Sequence, residues 1–225
     1  MSADLPVAAL IPVKGFARAK HRLAELLSAR ERALLAEAMM QDTLARALAA
    51  PSLAAAFVVT ADPQVAAVAA SCGARVVIEA EERGETEAVH FARARLKRAG
   101  FAAALVLPAD IPLATAADIE SVLAERAPAP GATLVPSHDR LGTNALLLAP
   151  PDSMTLRFGY DSFVYHLRQA AARGLALRVV ENERIALDID EPVDLKRFIE
   201  RATSGETQRR LLEMGIAERL GAPRV

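Results

Sequence analysis

The segment Leu187-Asp188-Ile189-Asp190-Glu191-Pro192 carries two aspartates two residues apart. In an extended chain, side chains i and i+2 share a face, so Asp188 and Asp190 can stand side by side. Carboxylates that close repel each other. A divalent cation relieves the repulsion, and hard oxygen donors suit Mg²⁺. Pro192 stops the strand and fits the first turn of a helix. Junctions of this kind are where α/β proteins bind ligands. A third carboxylate, Asp110, sits in the stiff turn Pro108-Ala109-Asp110-Ile111-Pro112. Alone, it reads equally as a metal ligand or as an aspartate capping its own turn. Beside Asp188 and Asp190 the metal reading gains, because three carboxylates would then converge from two strand ends.

Cations cluster elsewhere. Pro12-Val13-Lys14-Gly15 is followed by Arg18, Lys20 and Arg22. A flexible turn of this type can hold phosphates with backbone N–H groups and charged side chains. It matches neither the Walker A pattern nor G-x-G-x-x-G, and locally a solvated basic turn is the simpler reading. Gly142-Thr143-Asn144 and Phe158-Gly159-Tyr160-Asp161-Ser162-Phe163 offer N–H groups and the hydroxyls of Thr143 and Ser162. Both could bind a small anion, although an ordinary loop and an ordinary helix cap explain them locally. The four histidines, His21, His90, His138 and His166, show no metal-ligand spacing and no Ser-His-Asp arrangement. His166 lies four residues after Ser162, where it could brace that loop.

The elements that must position these groups alternate along the chain. Short apolar runs at Val7–Val13, Ala55–Thr60, Arg75–Ile78, Ala104–Leu107, Thr133–Pro136, Ala145–Leu148, Leu177–Val180 and Ile185–Ile189 read as strands. Helices are expected from the capping box Ser28…Glu31 to about Ala49, and from Asp62-Pro63 to Gly73. Further helices are expected over Glu85–Ala99, Thr115–Glu125, Asp161–Arg173 and Pro192–Arg201. An amphipathic segment, Glu206–Leu220, is read as a C-terminal helix covering the sheet or contacting a partner subunit. The alternation predicts an α/β fold with a mostly parallel sheet flanked by helices. The short link before Ala145–Leu148 suits a hairpin, which makes the sheet mixed. Residues 1–225 are read as a single domain.

Bulk properties exclude several classes. With 27 basic and 28 acidic residues, the net charge of −1 gives no general attraction to nucleic acid or anionic membrane. Tryptophan is absent, so base-stacking platforms are poorly supplied. The longest apolar run, Phe101–Ala109, is too short to span a bilayer. The sole cysteine, Cys72, allows no intrachain disulfide, and the N-terminus lacks signal-peptide character. The expectation is a cytoplasmic protein with neither a nucleic-acid nor a membrane partner.

Taken in order, these motifs resemble the guanylyltransferases of coenzyme F-420 biosynthesis, which act on 2-phospholactate, phosphoenolpyruvate or 3-phosphoglycerate. The resemblance rests on Pro12-Val13-Lys14, Ala19-Lys20-His21-Arg22-Leu23, Pro108-Ala109-Asp110-Ile111-Pro112, Gly142-Thr143-Asn144, Phe158-Gly159-Tyr160-Asp161-Ser162 and Leu187-Asp188-Ile189-Asp190-Glu191-Pro192. It covers residues 7 to 200, approximately. It implies a Rossmann-like nucleotidyltransferase fold and a reaction of GTP with a phosphorylated three-carbon acid that releases pyrophosphate. By resemblance, Asp110, Asp188 and Asp190 hold Mg²⁺, and Thr143, Gly159 and Ser162 hold the acid. Lys14, Lys20 and Arg22 face the GTP phosphates, and Asp110, Asp188, Lys14 and Lys20 are the catalytic set. The family usually has Leu-Asn after the glycine at position 84. Here Glu85-Thr86 follows, which puts Thr86 at the asparagine's place near the nucleotide, with one hydroxyl instead of a paired amide. His21 replaces a small hydroxyl residue. The alanine-rich composition points to a GC-rich bacterial genome, and so to phosphoenolpyruvate or 3-phosphoglycerate before 2-phospholactate. Two alternatives stand beside this: a nucleotidyltransferase for a sugar phosphate or molybdopterin, which lacks support because no Gly-Gly turn follows the first strand, and a non-catalytic nucleotide sensor. A homodimer is compatible with all three.

Overall fold

The computed structural model describes residues 6–202 and 204–221. Its centre is a seven-stranded sheet of β1 (Val7–Pro12), β2 (Leu53–Thr60), β3 (Arg75–Ile78), β4 (Ala103–Val106), β5 (Gly131–Pro136), β6 (Thr143–Ala149) and β7 (Ala176–Val179). The spatial order is β3-β2-β1-β4-β6-β5-β7. Only β6 runs against its neighbours, β4 and β5. The other pairs are parallel, so the sheet is mixed and mostly parallel as expected.

The helices are α1 (Ala29–Leu48), α2 (Pro63–Ser71), α3 (Glu85–Arg98), α4 (Ala116–Ala124), α5 (Ser162–Ala172), α6 (Pro192–Arg201), α7 (Glu206–Glu213) and α8 (Ile216–Arg219). Their starts carry chemical stops. Ser28 and Glu31 close a reciprocal cap on α1, and Asp62 accepts from Gln64 and Val65 N–H with Pro63 in the first turn of α2. The central strands β1, β4, β5 and β6 are buried on both faces, and alternate residues serve opposite layers, while the edge strands β3 and β7 are largely exposed. Ala9 and Ile11 of β1 pack with Met40 and Leu44 of α1, Val65 of α2 and Ile119 of α4. Ala8 and Leu10 pack with the layer that includes Val89 of α3 and Phe163 of α5.

Two expectations are corrected. The stretch Ile185–Ile189 joins no ladder; it begins in a turn, where Ala186 N donates to Asn182 O, and carries no regular structure beyond it. Its alternation is real, since Ile185, Leu187 and Ile189 are buried. The strand place beside β5 belongs to β7. The segment instead crosses the end of the sheet, where His138 N donates to Ala186 O and Ile189 N donates to Asp110 O. The second correction concerns Glu206–Leu220, which forms two helices. Gly215 between them adopts the left-handed region at φ 64°, which ends α7 and redirects the chain. Leu211, Ile216 and Ala217 pack with Leu35 and Met39 of α1 and Phe198 of α6, not on the sheet.

The α7 start is tied to α1 by one buried carboxylate. Asp42 accepts from Glu206 N at 2.9 Å and Thr207 N at 2.8 Å. A Cβ at Gly205 would lie 2.9 Å from Asp42 Oδ2, and its φ of 130° also demands glycine. We expect Asp42→Ala to lower the unfolding free energy by about 2 kcal/mol. Urea melts check this; an unchanged midpoint would mean that apolar contacts alone dock α7.

Candidate active site

The sheet reverses its winding at β1, with β2 on one side and β4 on the other. A crevice opens at such a reversal beyond the C-terminal strand ends. The turn after β1 supplies Lys14 and Gly15, and the turn after β4 supplies Asp110. Gly15 is required by a close approach: a Cβ there would sit 2.6 Å from Asp62 Oδ2. The resulting cleft has a volume of about 360 Å³. Lys14, Arg18, Lys20, Arg22, Asp110 and Asp190 are among its lining residues.

Lys20 is the centre of this cluster. Its ammonium bridges Asp110 Oδ2 and, at 2.8 Å, Asp190 Oδ1. The side chain is only 9% exposed. Burial disfavours its charge, but the Asp110 and Asp190 carboxylates outweigh this and raise its pKa. The backbone at Lys20 is left-handed, at φ 53° and ψ 42°. That conformation costs a non-glycine residue about 1–2 kcal/mol. Each hydrogen bond between charged groups returns about 1.5–3 kcal/mol, so the clamp holds the strained turn. Arg22 lies further out, 3.8 Å from Asp190 and 3.7 Å from Glu191. Lys14 is exposed at the cleft wall.

Asp188 lies beside this clamp. Asn144 Nδ2 donates to Asp188 Oδ1 at 3.0 Å and to the carbonyls of Ile185 and Ala186. Burial raises the Asp188 pKa to about 6, with the nearby Asp110 and Asp190 charges adding to it. For Asp190, burial pulls upward but Lys20 prevails and lowers the value. Asp194 accepts from the N–H groups of Asp190 and Glu191, which fixes the backbone at the start of α6. The expected convergence of three carboxylates is thus only partial. Among the described residues, no group of three or more acidic, histidine or cysteine side chains forms a ready metal cluster. The Lys20 ammonium lies between two of the three aspartates. Asp110 Oδ1 nonetheless is buried without a hydrogen-bond partner. Three hard oxygen donors in one neighbourhood, one of them unpaired, fit a magnesium ion.

The loop residues read as acid ligands are placed differently. Thr143 and Ser162 are buried, and the Ser162 hydroxyl donates to Thr143 Oγ1 at 3.5 Å. Arg157 N donates to His166 Nε2, so Nδ1 carries the imidazole proton and donates to Thr143 Oγ1 at 3.0 Å. Neither hydroxyl, nor Gly159, lines the cleft. Gly159 is exposed at φ 96°, a turn conformation suited to glycine. Thr86, expected near the nucleotide, instead accepts from Phe158 N at 3.0 Å and is also absent from the cleft lining. Three glutamates on the cleft wall, Glu79, Glu82 and Glu85, escaped the sequence reading. Burial raises the Glu85 pKa to about 7, with Asp110 adding and Lys14 and Lys20 opposing. Asn144 escaped too, although its motif was noted; no periodicity marks a residue that orients another.

A mixed sheet with this order, a basic turn after β1 and aspartates at its carboxyl ends define a nucleotidyltransferase. The fold is shared with a putative nucleotide-diphospho-sugar transferase from Desulfovibrio desulfuricans G20 (TM-score 0.77, 17% identity, 95% of this chain and 97% of that one). A nucleotidyl transferase from Methanothermobacter gives a TM-score of 0.64 at 18% identity, over 86% of this chain and 95% of that one. The chain belongs to the family described as "Guanylyl transferase CofC like", whose pattern matches residues 7–219. It is 38% identical over 194 residues to a phosphoenolpyruvate guanylyltransferase of Rubrobacter xylanophilus, covering 86% of this chain and 94% of that protein. It is 36% identical to a 3-phospho-D-glycerate guanylyltransferase of Colwellia psychrerythraea (83% and 88%) and 35% to a 2-phospho-L-lactate guanylyltransferase of Methanothermobacter thermautotrophicus (85% and 83%). No helix among the described residues is long and apolar enough to cross a membrane.

The His166 network carries a pH signature. Burial, helped by Arg157, lowers the imidazole pKa from 6.5 to about 4. Between those values the unfolded chain binds more protons, so stability is full above pH 6.5 and falls as pH drops toward 4. The loss amounts to about 2–3 kcal/mol at pH 4.5. We expect His166→Asn to be less stable than the parent at pH 7.5, with the gap narrowing by that amount at pH 4.5. Urea titrations at both pH values test it; a constant gap would place the titration elsewhere.

Proposed function

We propose that this protein transfers the guanylyl group of GTP to the phosphate of a three-carbon phospho-acid, phosphoenolpyruvate or 3-phospho-D-glycerate before 2-phospho-L-lactate, as a step in coenzyme F-420 biosynthesis. The relatives named for all three acids support the substrate class. The observation that carries the reading is the pairing of a cationic turn, Lys14 to Arg22, with Asp110 and Asp190 in one cleft, and with Asp188 beside them.

The chemistry asks for charge control, not for a base. A phosphate monoester has a second pKa of about 6, so its oxygen is already ionised near neutrality. That oxygen attacks the α-phosphorus, and the bond from it to the bridging oxygen breaks to release pyrophosphate. His166 is held neutral inside its own network and has no part in this step. Lys20 places a fixed positive charge where the two anions meet. Lys14, Arg18 and Arg22 line the side from which pyrophosphate departs and stabilise its charge. Asp110, Asp188 and Asp190 are the residues that would hold Mg²⁺, which, when bound, neutralises phosphate charge in the transition state. Asn144 orients Asp188 for that task. Thr143, Gly159 and Ser162 are the residues assigned to the acid, and Thr143 and Ser162, tied to each other and to His166, fix the 157–162 loop beside Asn144. Arg22, exposed at the rim, is a nucleotide-binding residue, and Thr86 braces the same loop.

The test is GTP with each acid and Mg²⁺, with mass detection of the guanosine diphosphate diester and of pyrophosphate. Asp188→Asn is expected to lower turnover by about 100-fold or more while leaving the melting temperature near that of the parent. Product from none of the acids, or an active Asp188→Asn protein with ordinary magnesium dependence, would sink the assignment.

A further inference from the structure

Glu79 is a buried carboxylate that neither the catalytic cluster nor the core explains. It follows β3 directly, and its N–H donates to Thr60 O at 2.9 Å. The residue is 6% exposed, yet it lines the cleft and its Oε1 has no hydrogen-bond partner. Burial raises its pKa; Arg83 opposes this, and Glu82 and Glu87 add to it. A buried acceptor left unpaired costs about 1–3 kcal/mol, so its retention points to a partner that arrives with the ligand.

Its place in the cleft says which part of the ligand. β3 and β4 are three positions apart in the sheet. At about 4.8 Å per strand, Glu79 and Asp110 root about 14 Å apart, the scale of a nucleotide laid across the strand ends. Glu85, between them in chemistry, feels Lys14, Lys20 and Asp110. Glu79 feels none of these and answers only to Arg83, Glu82 and Glu87. Three strand spacings from Asp110, it belongs to the end of the cleft remote from the Lys20 clamp. Ala61, which follows the paired Thr60, and Gly84 and Ala88, which follow Glu79 in the chain, also line the cleft, and their small side chains leave room for a flat ring.

We propose that Glu79 is the guanine-reading residue: its two carboxylate oxygens accept hydrogen bonds from guanine N1–H and from the exocyclic amine at C2. Among the common bases, guanine alone offers two adjacent donors on that edge. Adenine turns a ring-nitrogen lone pair toward the same place and is repelled. The assignment rests on GTP being the nucleotide substrate. It accounts for selectivity although Thr86, at the place where the family resemblance leads one to expect an asparagine, accepts from Phe158 N and does not line the cleft.

Equilibrium binding of GTP, ITP and ATP with Mg²⁺, by calorimetry, tests it without requiring turnover. ITP keeps N1–H but lacks the amine. The parent protein is expected to bind GTP on the order of 10-fold or more above ITP, and to discriminate more strongly against ATP. Glu79→Gln is close in shape; it should lose GTP affinity by about 10–100-fold and bring the GTP:ITP ratio close to one. Glu79→Asp, which keeps the charge but shortens the reach, is read in the same way if the glutamine variant fails to fold. A GTP:ITP ratio unchanged in the folded variant overturns the proposal and leaves the enzyme assignment standing. Tight, selective GTP binding without product from any acid overturns the acid assignment and leaves the base reader standing. A parent protein that does not bind GTP overturns both.

Discussion

One ammonium group holds the functional end of this molecule together. Lys20 comes from the turn after the first strand, Asp110 from the turn after the fourth, and Asp190 from the segment that crosses the sheet end. Without a cation among them, these carboxylates and Asp188 would repel one another in a partly dehydrated crevice. The cost of a left-handed lysine is small beside that repulsion, and the two ion pairs exceed it. The clamp also fixes the electrostatics. It lowers the Asp190 pKa, whereas burial leaves Asp188 raised to about 6.

Much of this was legible in the chain. Caps at Ser28, Asp62 and Thr115 announce their helices with local hydrogen bonds, and the structure makes them. Apolar runs announced the buried strands, and the short link before β6 gave the hairpin and the mixed sheet. The ordered motifs pointed to the family, and Asp110, Asp190, Lys14, Lys20 and Arg22 do line one cleft. The stretch Ile185–Ile189 shows the limit. Alternating burial requires an extended chain facing a core, but a ladder also requires a free strand edge, and β7 holds the one beside β5. Residue type could not show that the Ser162 hydroxyl turns to Thr143 and Thr143 to His166, because orientation depends on partners 19 and 23 positions away. Glu79 and Glu85 sit in an acidic stretch that reads as solvated surface until the fold buries it.

The cleft divides its labour by charge. Positive groups gather where the β1 turn meets the strand-end aspartates, and glutamates line the wall beyond β3 and at the start of α3. A nucleotide has the matching polarity, with anionic phosphates at one end and hydrogen-bond donors on a guanine at the other. Under the proposed base reading, orientation would be set before any close fit, since the reversed pose would place phosphates against Glu79 and Glu82.

The reversed direction of β6 has an evolutionary consequence. Because β6 runs against β4, its beginning, not its end, arrives at the cleft, and Asn144 reaches Asp188 from there. The cleft lining carried by β1 to β4, and the β5–β6 hairpin with the 157–162 loop outside that lining, are therefore separate modules that meet where Asn144 holds Asp188. The hairpin can lengthen or change sequence without moving the strands that carry the triphosphate machinery. Under the proposed reaction, such a division would let a lineage exchange one small acid for another while its nucleotide chemistry stays fixed; the relatives similar to this chain are named for three different acids.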